Sequence, residues 1–254
     1  MSDLFDLTGR CVVITGGTSG IGLSAAQAFL EAGARVTISG RSEDRGEAAL
    51  GGLADKGDVW FCAADASDEA DAERLAETAR AHMGGVDTIV CAAGINRRGP
   101  PQDLSLEDWD AVLDANLRGT FVTARAFYPQ LCQSGDGRIV TIGSMMSVLA
   151  NDMTAPYAAA KGGVVQLTRS LAAAWAKDGI RANCVLPGWV DTALTRQARL
   201  DMPDLDARVR DRTPLGRWAE PQDIAGTILF LSTAASRFVT GTAIPVDGGF
   251  VMRA

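Results

Sequence analysis

Short runs of apolar and β-branched residues alternate with longer stretches of helical periodicity from the start of the chain. The first run, Cys11 to Thr15, is followed by a helical pattern over Ser19 to Ala32. Buried strands that alternate with amphipathic helices are typical of a parallel sheet covered on both faces. We therefore predict an α/β protein with a doubly wound Rossmann fold and a seven-stranded parallel sheet. The predicted strands are Cys11 to Thr15, Arg35 to Ser39, Val59 to Cys62, Thr88 to Cys91, Arg138 to Ile142, Ala182 to Leu186 and Ala243 to Val246. The predicted helices are Ser19 to Ala32, Glu43 to Ala54, Glu69 to Met83, Ser105 to Leu131 and Thr154 to Lys177.

No Pro/Ser-rich linker or low-complexity tract interrupts this alternation, so residues 1–254 are predicted to form one domain. The least regular stretch, Pro187 to Arg217, mixes Gly, Pro and many charged residues. It lies where strands end and where ligands bind in open parallel sheets. We therefore expect a mobile substrate lid at about residues 188–217.

Charge and composition argue against several classes of partner. The 254 residues carry 24 Lys and Arg against 31 Asp and Glu, a net charge of −7 without a basic stripe, so a nucleic acid partner is not expected. The apolar runs are too short for a membrane span and the first ten residues lack an apolar leader, which predicts a cytoplasmic protein. The five cysteines are interpreted as buried free thiols. A single histidine and no paired ligand spacing predict no metal site and no serine hydrolase triad.

A glycine-rich segment joins the first strand to the first helix. It reads Thr15-Gly16-Gly17-Thr18-Ser19-Gly20-Ile21-Gly22, with the spacing G-x-x-x-G-x-G rather than the general G-x-G-x-x-G. Glycines at such a turn let the backbone approach a pyrophosphate and direct free N–H groups and the positive helix end at it. No Lys follows as in a nucleotide-triphosphate loop. We therefore predict a dinucleotide site.

The end of the second strand indicates which dinucleotide binds. NAD-binding proteins place an acidic residue there for the ribose 2′-OH, whereas this chain reads Ser39-Gly40-Arg41-Ser42. A guanidinium at Arg41 suits a 2′-phosphate and favours NADP. Glu43 and Asp44 are interpreted as first-turn acids of a helix, although either could reach a ribose, so NAD stays open as the alternative.

A candidate acid/base pair follows the fifth strand. Tyr157 and Lys161 are four residues apart in a strongly helical segment and project from one face. We expect the ammonium to lower the pKa of the phenol, so that Tyr157 exchanges a proton with a substrate hydroxyl while a nicotinamide exchanges the hydride. Ser144 follows the strand ending at Ile142, where its hydroxyl can polarise a carbonyl.

These motifs, together with Ala92-Ala93-Gly94, Asn116 and Pro187-Gly188, resemble the classical short-chain dehydrogenase/reductase family along essentially the whole chain. The resemblance implies that Ser144 orients the substrate oxygen, Tyr157 is the acid/base, Lys161 holds the nicotinamide ribose and Asn116 supports a proton relay. It also implies a set of cofactor-binding residues, namely Gly16, Thr18, Ser19, Gly20, Ile21, Gly22, Arg41, Asp65, Ala66, Cys91, Ala92, Ala93, Gly94, Tyr157, Lys161, Pro187, Gly188, Val190 and Thr192.

Cys91 departs from the family pattern, which usually has Asn at this position. A thiol cannot replace the hydrogen bonds of an amide, so loop stability or cofactor affinity is expected to differ.

Two segments resemble the gluconate 5-dehydrogenase and 2-deoxy-gluconate 3-dehydrogenase branch of that family. They are Ala93-Gly94-Ile95-Asn96-Arg97-Arg98 and Ser144-Met145-Met146-Ser147. Arg98 matches a position where that branch carries an Arg near the substrate, and a guanidinium can bind a sugar-acid carboxylate bidentately. We therefore predict Arg98 and Met146 as substrate residues and a sugar acid or polyol as substrate.

Three alternatives stay open: a 3-oxoacyl thioester reductase, a neutral sugar 1-dehydrogenase, and a protein that binds the dinucleotide without turnover. The family resemblance also implies a homotetramer, in which the helices Ser105 to Leu131 and Thr154 to Lys177 form one dimer contact and Asp247 to Ala254 a second.

Overall fold

The structure is a computed structural model that describes residues 4–253, apart from the side chains of residues 197 and 201. Residues 1–3 and 254 of the predicted domain lie outside the described residues, and so does residue 254 of the predicted C-terminal subunit contact. The strands form one seven-stranded sheet in the order β3-β2-β1-β4-β5-β6-β7, and every strand pair is parallel, as predicted. The strands are β1 Cys11–Thr15, β2 Arg35–Gly40, β3 Val59–Ala63, β4 Thr88–Cys91, β5 Gly137–Ile142, β6 Ile180–Pro187 and β7 Ala243–Val246.

Helices cover both faces of the sheet, which is why the central strands are apolar throughout. On one face, α1 and α9 pack against each other and enclose a core that includes Phe29, Ile14 and Ile224. On the other face, α3, α5 and α6 enclose a second core around Phe127 and Ile139. The helices are α1 Gly20–Glu31, α2 Glu43–Leu53, α3 Glu69–Met83, α4 Leu106–Leu113, α5 Gly119–Ser134, α6 Ala155–Trp175, α7 Ala193–Asp201, α8 Leu205–Arg212 and α9 Pro221–Leu231.

The order of the strands reverses between β1 and β4, which are hydrogen-bonded neighbours although two strands separate them along the chain. The connections leave these strands in opposite directions, so a crevice opens between the loops at their carboxyl ends. The glycine-rich segment follows β1 and the Ala92-Ala93-Gly94 segment follows β4. The fold therefore brings both predicted cofactor segments to one place.

The long helix predicted over Ser105 to Leu131 is interrupted. A π-helical turn at Asp114–Arg118 separates α4 from α5, and α5 continues to Ser134. A π turn holds one residue more than an α turn, and hydrophobic spacing alone does not reveal it. The prediction of one continuous α-helix was therefore wrong at this turn, which contains Asn116.

The segment after β6 is more regular than its composition suggested. It contains α7 and α8, and α9 follows it as the helix that crosses back to β7; the sequence analysis predicted none of the three. The segment is closed at its base, where Asp191 N donates to Ala219 O at 2.8 Å and Ala219 N donates to Trp189 O at 2.8 Å. We call this two-bond contact the stem; it surrounds the bridge between Val190 and Ala219.

Two features are absent from the residues that the structure describes. Over residues 4–253, no helix is long and apolar enough to cross a membrane. In the same range, no group of three or more His, Cys, Asp or Glu side chains is arranged to hold a metal ion.

Candidate active site

A continuous groove runs along the carboxyl ends of β1, β2 and β4 to the start of α6. Its two ends share Gly16, Ser19, Ala93 and Gly94. Most predicted cofactor residues line it, namely Gly16, Thr18, Ser19, Gly20, Ile21, Gly22, Arg41, Asp65, Ala66, Ala92, Ala93, Gly94, Tyr157, Lys161 and Thr192, and Asn116 lines it as well.

The glycine-rich turn is packed too tightly for side chains. A Cβ on Gly16 would lie 2.7 Å from Ala93 N, and one on Gly22 would lie 2.3 Å from Gly16 O. Gly16 also has φ +69°, a left-handed conformation that glycine adopts without strain. The first N–H groups of α1 begin at Gly20 in this turn and have no partner within the helix. The turn is therefore a backbone cradle for an anion such as a pyrophosphate.

Two guanidinium groups line the far end of the groove. Arg41 lies 4.0 Å from Asp65, and Arg45 lines the same cavity from the first turn of α2. The backbone N–H of Arg45 also donates to Ser42 Oγ, which caps that helix. Glu43 and Asp44 are not among the lining residues. Arg45 was missed by the sequence analysis, although its four-residue spacing from Arg41 could have indicated a second cation at this end.

At the other end of the groove, α6 presents Tyr157 and Lys161 beneath the loop that follows β5. Lys161 Nζ donates to Ile142 O at 2.7 Å and lies 5.6 Å from the centre of the Tyr157 ring. Ser144 is the N-cap of a short 3-10 turn, and its Oγ accepts a hydrogen bond from Met146 N at 3.1 Å. The structure thus brings the predicted Ser144, Tyr157 and Lys161 together.

Burial controls the ionisation of both groups on α6. It lowers the pKa of Lys161 to about 8, and the nearby thiols of Cys184 and Cys91 offset this only in part. Burial also raises the pKa of Tyr157, while the hydrogen bond with Ser144 acts to lower it. The sequence analysis expected Lys161 to lower the pKa of Tyr157, whereas desolvation dominates in this structure and the net shift is upward.

Asn116 lies in the π turn and is fully buried. Its Nδ2 donates to Ile95 O and to Val112 O, each at 2.8 Å. Within residues 4–253 its Oδ1 has no hydrogen-bond partner, and a Cβ on Gly94 would lie only 2.4 Å from that oxygen. A buried amide oxygen without a donor is costly, so this acceptor is suited to a ligand or water in the groove.

Four predicted cofactor residues do not line the groove. Cys91 is buried at the end of β4, and burial raises the pKa of its thiol to about 12. It is therefore a neutral, inert thiol in the sheet. Pro187 ends β6, a Cβ on Gly188 would meet Asp247, and Val190 is 3% exposed in the core. None of these four is among the residues that line the groove, whereas Thr192, Ala193 and Leu194 form part of its wall.

The two predicted substrate residues are not among the groove lining either. Arg98 is half-buried, and its Nη2 contacts Met202 Sδ at 3.7 Å, between α7 and α8. Its neighbour Arg97 is exposed and lies 3.4 Å from Asp108. Met146 Sδ accepts a contact from Asn151 Nδ2 at 3.5 Å. Of the two arginines, Arg98 is the one directed at the predicted lid.

The groove combines a backbone cradle, which has no room for side chains, with a Tyr/Lys pair. This combination is typical of a dinucleotide-dependent oxidoreductase. Residues 16–251 match the family model described as enoyl-(acyl carrier protein) reductase. The chain belongs to the short-chain dehydrogenase/reductase family and is an oxidoreductase that acts on CH–OH groups with NAD(P).

Characterised relatives match nearly the full length of the chain. It is 35% identical to a gluconate 5-dehydrogenase of Gluconobacter oxydans (98% of each chain) and 38% identical to an L-tagatose-forming galactitol 2-dehydrogenase of Cereibacter sphaeroides (98% of each chain). A solved gluconate 5-dehydrogenase of Burkholderia cenocepacia, in complex with NADP and tartrate, is 37% identical with a TM-score of 0.94. That comparison covers 100% of this chain and 99% of the other.

Arg45 provides a test of the far end of the groove. Arg45→Ala is expected to weaken NADPH binding about five- to tenfold, because an exposed charge contact contributes about 1 kcal/mol, and to leave NADH binding unchanged. Titration of the quenching of tryptophan fluorescence measures both affinities. Arg80→Ala, at the end of α3, is the matched control and should bind both dinucleotides normally. An equal loss for NADPH and NADH would contradict this role of Arg45.

Proposed function

We propose that the protein transfers a hydride between NADP and a secondary alcohol or ketone of a sugar acid or polyol. The observation that carries the proposal is that Tyr157, Lys161 and Asn116, whose Oδ1 has no partner among residues 4–253, border the same groove as the glycine-rich cradle. A dinucleotide whose diphosphate lies on that cradle extends along the groove towards α6. The sugar acid and polyol dehydrogenases among the relatives support the substrate class.

NADP is the proposed cofactor, with NAD as the alternative. Arg41 and Arg45 supply two positive charges beside the end of β2, where NAD-specific proteins place an acid. Asp65 is the nearest acid to Arg41, at 4.0 Å, and this contact leaves the other guanidinium donors available. The complex of the Burkholderia cenocepacia relative with NADP supports the same preference.

Each side chain at the reacting end has a distinct role in this proposal. The bound nicotinamide supplies the hydride transfer. Tyr157 exchanges the proton of the substrate oxygen, and the Ser144 hydroxyl holds that oxygen in place. Lys161, fixed by the Ile142 carbonyl, holds the ribose. Asn116 binds the water through which the proton leaves, since its Oδ1 has no donor within residues 4–253.

Arg98 is the proposed anchor for an acidic substrate, and Met146 is proposed as a second substrate residue. Arg98 contacts Met202, so a carboxylate bound to the guanidinium would lie against the segment between α7 and α8. We propose residues 188–217 as the lid over this substrate. Thr192 and Leu194 at the start of α7 already form a wall of the groove, and Leu194 is 46% exposed.

We propose a homotetramer that works in the cytoplasm without a nucleic acid partner. Three large apolar side chains are exposed on α4 and α5: Leu106, Trp109 and Phe121. Exposed apolar side chains grouped on neighbouring helices are typical of subunit contacts. Five free cysteines suit a reducing compartment, and the charge of −7 disfavours a polyanion.

Tyr157→Phe tests the proposed reaction. Loss of the acid/base hydroxyl is expected to lower kcat about 10²- to 10⁴-fold, while NADPH affinity stays within about threefold. The assay follows nicotinamide absorbance with gluconate, galactitol and their keto products. The chain has two tyrosines, and Tyr128→Phe, whose hydroxyl contacts Asp178, is the control. Wild-type turnover by Tyr157→Phe on every substrate would refute the mechanism.

Arg98→Met tests the substrate class. Loss of a charged, bidentate contact is expected to raise KM for a sugar acid about 10- to 100-fold and to leave KM for a neutral polyol unchanged. Arg97→Met removes the same charge next to it, but from a residue paired with Asp108, and should change neither constant. A sugar-acid KM unaffected by Arg98→Met would remove the carboxylate role.

Light scattering tests the assembly. The expected mass is about four times that of one 254-residue chain. Leu106 is 81% exposed, and Leu106→Glu is expected to lower the mass because it puts a charge into the proposed contact. Leu200→Glu changes a residue of α7 that is 77% exposed and should leave the mass unchanged. A wild-type mass of one chain would contradict the tetramer.

A further inference from the structure

Ser147 links two of the proposed catalytic residues. Its hydroxyl accepts a hydrogen bond from Ser144 N at 3.2 Å and donates one to Lys161 O at 2.8 Å. Ser147 contributes nothing to the groove lining, and none of the roles described above uses it. Its hydroxyl is nevertheless a direct connection between the loop of Ser144 and the helix of Lys161.

This connection closes a ring between β5 and α6. One side is the amine of Lys161, which donates to Ile142 O at 2.7 Å at the end of β5. The other side runs through the 3-10 turn, where Ser147 N donates to Ser144 O at 2.9 Å. Lys161 is thus held at its side-chain end by Ile142 and at its backbone by Ser147. Ser144 lies between these two points of attachment.

The bond from Ser147 is not needed to build α6. Lys161 lies in the interior of a helix that spans Ala155–Trp175, where its carbonyl has a partner one turn further along. The Ser147 hydroxyl therefore adds a second donor to a carbonyl that the helix already satisfies. Its effect is to fix the position of the turn relative to the helix.

The surroundings leave the turn little room to adjust. A Cβ on Gly143 would lie 2.5 Å from Leu186 Cδ2, 2.9 Å from Cys184 Sγ and 3.1 Å from Ser147 Oγ. The backbone between β5 and Ser144 is therefore pressed against β6, and the Ser147 hydroxyl lies in contact distance of that backbone. Removing the hydroxyl leaves Ser144 N without an acceptor on the side that faces α6.

We propose that Ser147 is a positioning residue, which sets the distance between the Ser144 hydroxyl and the Tyr157/Lys161 pair by joining Ser144 N to Lys161 O. The inference rests on the proposed function, because it acts through residues assigned there. It predicts a loss in the chemical step rather than in cofactor binding, since the glycine-rich cradle is not part of the ring.

Ser147→Ala is expected to lower kcat about 10- to 100-fold, because a displacement of catalytic groups by about 1 Å can cost about 100-fold in rate. The KM for NADP is expected to stay within about twofold of the wild-type value. The hydrogen bond with Ser144 offsets part of the rise that burial causes in the pKa of Tyr157. A less firmly held Ser144 would let the pKa of Tyr157 rise. The rate of alcohol oxidation, which increases as Tyr157 loses its proton, would then increase only at a higher pH. Ser147→Thr keeps the hydroxyl and should restore both kcat and the pH profile.

Ser170→Ala is the matched control. Ser170 lies on the exposed face of the same helix and donates to Gln166 O at 3.1 Å, also a bond from a serine to a helix carbonyl. It has no link to the catalytic loop, so kcat and the pH profile should not change. Ser147→Cys keeps the size of the side chain with a weak hydrogen-bonding group, and it serves as the test variant if Ser147→Ala does not fold.

The outcomes separate this inference from the proposed function. Suppose that Tyr157→Phe is inactive, while Ser147→Ala (or Ser147→Cys in its place) has the same kcat and pH profile as Ser170→Ala. The positioning role of Ser147 is then refuted, and the proposed function stands. A fall in melting temperature with an unchanged kcat would also refute the positioning role. So would a change in the KM for NADP with an unchanged kcat. If Tyr157→Phe is fully active, the proposed function itself fails.

Discussion

The site is organised by a single buried amine. Lys161 is 4% exposed, and its amine is held by one backbone carbonyl at the end of β5. Taking an ammonium out of water is costly unless it is paired, and no carboxylate pairs with Lys161 within residues 4–253. Burial accordingly lowers the pKa of Lys161 to about 8. An incoming ribose, which offers hydroxyl acceptors, would give Lys161 partners that it lacks.

The two halves of the groove use different physical means. The cradle end depends on missing side chains, since Gly16 and Gly22 have no space for a Cβ and the backbone itself binds. The reacting end depends on side chains fixed by hydrogen bonds, such as Asn116, which is held by two carbonyls. Substitutions act differently in the two halves, because added atoms damage the first and lost hydrogen bonds damage the second.

Much of the fold and of the candidate site could be predicted from the sequence, because the patterns that determine them are local. The β1 and β4 strands are short apolar runs, and the i, i+4 spacing of Tyr157 and Lys161 places both on one helix face. The π turn around Asn116 could not be predicted, since one extra residue hardly changes the hydrophobic pattern. The raised pKa of Tyr157 depends on burial by distant segments, and α9 was hidden beside a charged, irregular stretch. The exclusion of Cys91 and Val190 from the groove likewise depends on packing that spacing does not encode.

The stem has a consequence for how the segment that it closes can vary. Two backbone hydrogen bonds between Trp189, Asp191 and Ala219 close the segment into a loop whose ends are joined through backbone groups. Lengthening a closed loop costs little, about 0.6 kcal/mol for each doubling. Positions of this segment that neither line the groove nor pack in the cluster of Ala198, Leu205, Val209 and Trp218 can therefore be exchanged or lengthened while β6, α9 and the cofactor cradle keep their places. Such a base allows the surroundings of the substrate to change while the site of hydride transfer stays the same.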